Sequence, residues 1–149
     1  MDRTPVYVPD EDPAEAPGEG FTITSERAYV ASTTVTCWKC RARIEVICIY
    51  CEDGTVDDEP LSEFTVIGPW AMDEALAGQL RPWPFFRSVE GEDYFANHCA
   101  RCDALQDDLY LHSEPDHPFF RVTKRAPGSV KLTPLTGRVQ LSGDESFEV

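Results

Sequence analysis

The clearest pattern in the chain is the alternation of apolar and polar positions from Arg41 to Tyr50. Ile44, Val46, Cys48 and Tyr50 fall on one face of a strand, with Glu45, Ile47 and Ile49 on the other. The β-branched stretch Tyr29 to Thr36 predicts a second strand running into it. Shorter strands are predicted at Phe21 to Thr24 and Phe64 to Ile67, separated by an acidic loop from Glu52 to Glu63 around Gly54 and Pro60. The best helical segment is Trp70 to Leu80, where Met72, Leu76 and Leu80 recur every four residues between Pro69 and Pro82. The apolar run Arg81-Pro-Trp-Pro-Phe-Phe is expected to wedge against the core, unless Trp83 stands out as a contact anchor.

Beyond it, Ala104 to His112 fits a short helix or a strand equally well. Phe119 to Thr123, Val130 to Leu132 and Arg138 to Leu141 read as strands, with turns at Pro127-Gly128 and Pro134 to Gly137. The expected fold class is mainly β with one or two short helices, a small α+β domain. Residues 1–20 hold four prolines and six acids and predict a flexible arm; residues 142–149 predict an acidic tail that frays; residues 21–141 form one domain.

Composition changes this picture little. The chain has 149 residues, 42% of them hydrophobic, with twelve Pro and nine Gly, which suits one turn-rich domain with a packed core. There is no apolar run of the ~20 residues a membrane-spanning helix needs. The polar, acidic N-terminus does not resemble a signal or transit peptide, so a cytoplasmic location is expected. Charge is more informative. Thirteen bases against 27 acids give a net charge of −14, which argues against a general nucleic-acid binder. The exception is Phe119 to Gly143, which has five bases and no acid. It reads as a solvated hairpin or as a contact surface for an acidic partner.

The chemistry lies in three Cys-x-x-Cys pairs, Cys37/Cys40, Cys48/Cys51 and Cys99/Cys102. In a reducing compartment such pairs favour metal over disulfides, and each is half of a tetrahedral zinc site. Four sulfurs around one zinc sit about 3.8 Å apart. The segment Arg41 to Ile47 contains no Gly, Pro, Asn or Asp to turn the chain, and as a strand it separates Cys40 from Cys48 by roughly 26 Å. The first two pairs therefore do not share an ion, and one of them joins Cys99/Cys102. Cys37/Cys40 precedes the strand, where a knuckle turn can form, whereas Cys48 falls inside it as a small hydrophobe. The predicted Zn²⁺ ligands are Cys37, Cys40, Cys99 and Cys102, two knuckles flanking a long insertion in the manner of a zinc ribbon. Cys48 and Cys51 read first as core and strand-end residues. The alternatives are a second metal site completed by two of His98, His112 and His117, or a redox dithiol. The latter lacks the cationic surroundings that activate a thiol.

The knuckle Cys37-Trp38-Lys39-Cys40 and the later run Asn97-His98-Cys99-Ala-Arg-Cys102-Asp-Ala-Leu-Gln-Asp-Asp-Leu-Tyr-Leu-His112, followed by Glu114-Pro115, resemble a family of uncharacterised bacterial zinc-ribbon proteins. The likeness covers residues 35–122 and is specific at the two knuckles. It implies the same four cysteine ligands and no activity. Asp103 and Asp107 stand where that family's pattern has glycine, so both turns are expected to be shaped differently, by an Asp in a left-handed conformation.

No Ser-hydrolase elbow, P-loop, zincin or dinucleotide motif is present, and no catalytic residue is assigned. Carboxylate pairs such as Asp57/Asp58 and Asp107/Asp108 suit a solvated surface. The sequence thus predicts a small acidic zinc-binding protein, not an enzyme, that acts as a protein-binding or adaptor module. The alternatives are an acidic inhibitor or immunity-type protein that blocks a basic partner such as a nuclease, and a zinc ribbon that binds nucleic acid through its knuckles.

Overall fold

A computed structural model describes residues 20–106 and 130–147. Three 14-residue strands dominate it: β1 (Ile23–Thr36), β2 (Arg43–Val56) and β3 (Glu59–Met72). They are followed by α1 (Glu74–Gln79), β4 (Phe86–Ser88), β5 (Phe95–His98), β6 (Leu105–Gln106), β7 (Lys131–Pro134) and β8 (Val139–Phe147). Pairing is antiparallel throughout. β1 pairs with β2, β2 with β3, β3 with β8, and β8 returns to β1, which closes a four-stranded barrel. β7 adds to β1 beyond the β8 contact, and β4, β5 and β6 form a separate three-stranded sheet.

This corrects the expected α+β domain with a zinc-ribbon core and a long insertion. The described residues contain one helix, of six residues, and the segment between the knuckles supplies most of the barrel wall. Two local misreadings explain the difference. The expected acidic loop from Glu52 to Glu63 is the end of the β2–β3 hairpin. Val56 pairs with Glu59 across a two-residue turn in which Asp57 (φ 51°) and Asp58 (φ 69°) are both left-handed. Alternating charges along the strands there imitate a loop in composition. The predicted helix from Trp70 begins late because Ala71 and Met72 still pair with β8. Asp73 then caps the helix, its Oδ1 accepting from the Leu76 amide at 2.9 Å. At the other end of the chain, residues 142–147 continue β8.

The alternation along β2 is realised as read. Ile44, Val46, Cys48 and Tyr50 belong to one packing cluster, and Ile47, Ile49 and Cys51 to another. The second of these draws on all four barrel strands, with Ile23 and Val30, Phe64 and Val66, Val139 and Leu141, and is closed by Leu76 and Leu80 of the helix. Trp83, Phe85 and Phe86 pack against it, so the Pro-flanked aromatic run is wedged as expected. The other cluster, on the opposite face of the β1–β2 hairpin, includes Cys37 and Cys99. Two close approaches need glycine. A Cβ on Gly54 would come within 2.5 Å of the Thr24 carbonyl oxygen, where β1 is irregular between Ser25 and Ala28. One on Gly143 would meet Val66 Cγ1 at 2.7 Å.

Residues 1–19, 107–129 and 148–149 lie outside the described residues, and with them nearly all of the expected arm, the Phe119 to Thr123 strand, His112 and His117. No helix among the described residues is long and apolar enough to cross a membrane.

Candidate metal centre

The turn between β1 and β2 holds Cys37 and Cys40, and the turn between β5 and β6 holds Cys99 and Cys102. The two turns are built alike. The Cys37 amide donates to the Ala42 carbonyl at 2.8 Å, and the Cys99 amide to the Ala104 carbonyl at 2.8 Å. The Arg41 amide donates to the Cys37 carbonyl at 3.0 Å, and the Asp103 amide to the Cys99 carbonyl at 2.8 Å. Arg41 (φ 69°) and Asp103 (φ 70°), each just past the second cysteine, are left-handed. Asp103 thus adopts the conformation expected where the resembled family has glycine. In each turn two backbone amides point at the first sulfur. Lys39 and Cys40 donate to Cys37 Sγ at 3.3 and 3.5 Å, and Arg101 and Cys102 donate to Cys99 Sγ, both at 3.3 Å.

The knuckles face each other. Cys37 Sγ lies 3.7 Å from Cys102 Sγ, and Cys40 Sγ lies 3.7 Å from Cys99 Sγ. All four sulfurs fall within 4.8 Å of one another. These are the spacings of a tetrahedron of thiolates about one ion with metal–sulfur bonds of ~2.3 Å. The four residues can hold a metal ion.

The electrostatics fit a site that needs a cation. Burial opposes ionisation of Cys37, yet the amides of Cys40 and Lys39 outweigh it and bring the thiol down to about 6. Cys99 is lowered too, its burial overcome by the amides of Cys102 and Arg101. Cys102 is pushed up to about 11: the Ala104 amide favours its charge, but burial and the neighbouring sulfurs of Cys37, Cys99 and Cys40 prevail. The protein alone stabilises negative charge on the first sulfur of each knuckle. A full set of four thiolates requires a positive ion between them.

The surroundings lock this geometry. Gln106 Nε2 donates to the Ala104 carbonyl at 2.9 Å and reaches Cys37 Sγ at 3.6 Å, linking one knuckle to the other. Trp38 Nε1 donates to the Leu105 carbonyl at 2.8 Å. Arg87 of β4 forms an ion pair with Asp103, which holds that carboxyl below its usual range. Asn97 ties the second knuckle to the barrel. Its Oδ1 accepts from the Ile47 amide and its Nδ2 donates to the Ile47 carbonyl, both at 2.8 Å, so one side chain replaces a strand partner where β3 no longer pairs with β2.

The remaining candidates do not join the cluster. Cys48 and Cys51 are both buried, but three residues apart on a strand they point to opposite faces and enter different packing clusters. Burial pushes the Cys51 thiol up to about 12, against a weaker pull from the Ser25 hydroxyl. His98 is buried with Nδ1 at 3.0 Å from the Ala96 carbonyl and 3.2 Å from that of Phe85, outside the four-cysteine group. Asn97 and Gln106 were not anticipated as structural partners. A signal for the correct pairing of knuckles was nonetheless present. Cys37-Trp-Lys-Cys40-Arg-Ala42 and Cys99-Ala-Arg-Cys102-Asp-Ala104 share an alanine two residues past the second cysteine, and Cys48-Ile-Tyr-Cys51-Glu-Asp53 does not.

No family model, curated protein or solved structure matches this chain.

Proposed function

We infer that this chain is a zinc-stabilised binding module in which Cys37, Cys40, Cys99 and Cys102 hold one structural Zn²⁺ and the domain so fixed makes contacts with another protein. The observation that carries this reading is the pairing of sulfurs across the two knuckles at 3.7 Å. A zinc ion with four cysteine ligands has no position left for water or substrate, which favours a structural over a catalytic role. Its work is to join the β1–β2 turn to the β5–β6 turn, two ends that the short β4–β5–β6 sheet is too small to hold unaided.

Native mass spectrometry on the purified chain, with elemental analysis, tests the reading. One zinc per chain is expected, lost in Cys40→Ser and Cys102→Ser but kept in Cys48→Ala. A metal-free, fully folded wild-type protein would sink it.

A further inference from the structure

The tip formed by the two knuckles carries features that metal binding does not require. Trp38 lies between two cysteines of the site and is 62% exposed. A knuckle turn needs only backbone amides at this position, so an exposed indole adds nothing to ligation. Its Nε1–H is fixed on the Leu105 carbonyl, which holds the ring in place at the surface. Lys39 and Arg41 follow it in the same knuckle and Arg101 lies in the facing one, all three exposed.

Most other arginines of the fold are engaged, while Arg81 and Lys131, like these bases, are exposed and without an ion pair among the described residues. Arg27 pairs with Asp53 at 3.1 Å, Arg138 with Glu26 at 3.2 Å, and Arg87 with Asp103. Arg43 donates to Thr36 Oγ1 and the Thr34 carbonyl at 3.1 and 3.2 Å. Among the described residues, Lys39, Arg41 and Arg101 have no carboxylate partner, in a chain with twice as many acids as bases. Four thiolates around a divalent ion leave two negative charges, and Lys39, Arg41, Arg43 and Arg101 more than offset them. Apart from Asp103, which Arg87 engages, many carboxylates lie elsewhere among the described residues. Glu52, Asp53, Asp57, Asp58, Glu59 and Glu63 lie toward the far end of the β2–β3 hairpin, roughly 40 Å away along the strands.

We propose that this tip is a docking surface for an acidic polypeptide segment of a partner protein, with Trp38 as the apolar anchor and Lys39, Arg41 and Arg101 as the charge contacts. The proposal rests on the zinc-stabilised reading for the rigidity of the tip. A fixed, exposed aromatic in turns that also carry unpaired cations has the composition of an interface hot spot, in which the ring supplies buried area and the charges select the partner.

The test uses the metal-loaded full chain and a labelled peptide of about a dozen Asp and Glu residues with one central Phe, followed by fluorescence anisotropy. Saturable binding is expected, weakened at least tenfold between low and physiological salt and at least tenfold by Lys39→Glu with Arg101→Glu. Trp38→Ala is expected to weaken it similarly. Since that change touches the knuckle, the charge reversals provide the independent variant. Metal content is measured on every sample. A variant that keeps its zinc and loses the peptide isolates the surface from the metal site, whereas a wild-type protein without zinc refutes the metal reading instead. Equal binding by wild type and the double charge reversal, no binding at all, or tighter binding of an oligothymidylate than of the peptide would each overturn the proposal.

Discussion

Asn97 has no exposed surface, and both polar atoms of its amide are committed to the backbone of Ile47. Replacing it with Ala leaves a buried N–H and a buried C=O without partners, a loss of about 2–4 kcal/mol measurable by urea denaturation. Asp would keep the acceptor but not the donor and would bury a charge, so it is expected to be at least as harmful. Nothing in the sequence marked this role, because a lone Asn beside a cysteine pair has many uses and its partner is 50 residues away. The thiols were easier to read. Cys51 sits in an alternating strand, and burial raises it to about 12 from an ordinary 9.0. The folded state keeps this proton where the unfolded chain releases it. The contribution is fully present below pH 9 and falls as pH rises from 9 toward 12, by about 1.4 kcal/mol per unit. In Cys51→Ala that slope disappears, so the stability gap between the two proteins narrows as pH is raised from 8 to 10. A constant gap would contradict the burial.

At the level of elements, the strand faces of β2 were legible because a period of two survives even when both faces are buried. The ends of strands were not. Asp57 and Asp58 make a tight turn that usually recruits Asn-Gly, and here two L-residues accept left-handed backbone angles. Asp58→Gly is expected to raise stability by about 0.5–1 kcal/mol, seen as a higher melting temperature, since glycine takes a positive φ without steric cost. Gly54, which composition placed in a loop, is instead confined by β1. Gly54→Val is expected to destabilise by about 2 kcal/mol or more, because the Thr24 carbonyl oxygen occupies the space its side chain needs. The capped helix was found but overextended, since Trp70 to Met72 carry apolar residues equally suited to a strand paired with β8.

On the scale of the whole molecule, closure of the barrel was hidden because it depends on β8 pairing with both β1 and β3 across more than a hundred residues of sequence in the first case. The cysteine cluster was accessible because the geometry of one ion restricts which pairs can share it. Chelation of the metal is expected to lower the melting temperature by more than about 10 °C, with recovery on adding zinc, as binding energy is removed from the folded state alone.

Among the described residues, the half of β2 from Arg43 to Ile47 pairs with β1, and at Ile47 its other side takes the Asn97 side chain from beside the second knuckle. If that knuckle swings away, the Ile47 N–H and C=O lose their partner beside Ile44 and Val46. Such a border invites pairing with the same segment of another molecule. Zinc-depleted samples should therefore turn cloudy and bind thioflavin at concentrations where loaded protein stays clear. On the proposed zinc reading, the ion guards a seam and keeps one hairpin from becoming a template for others.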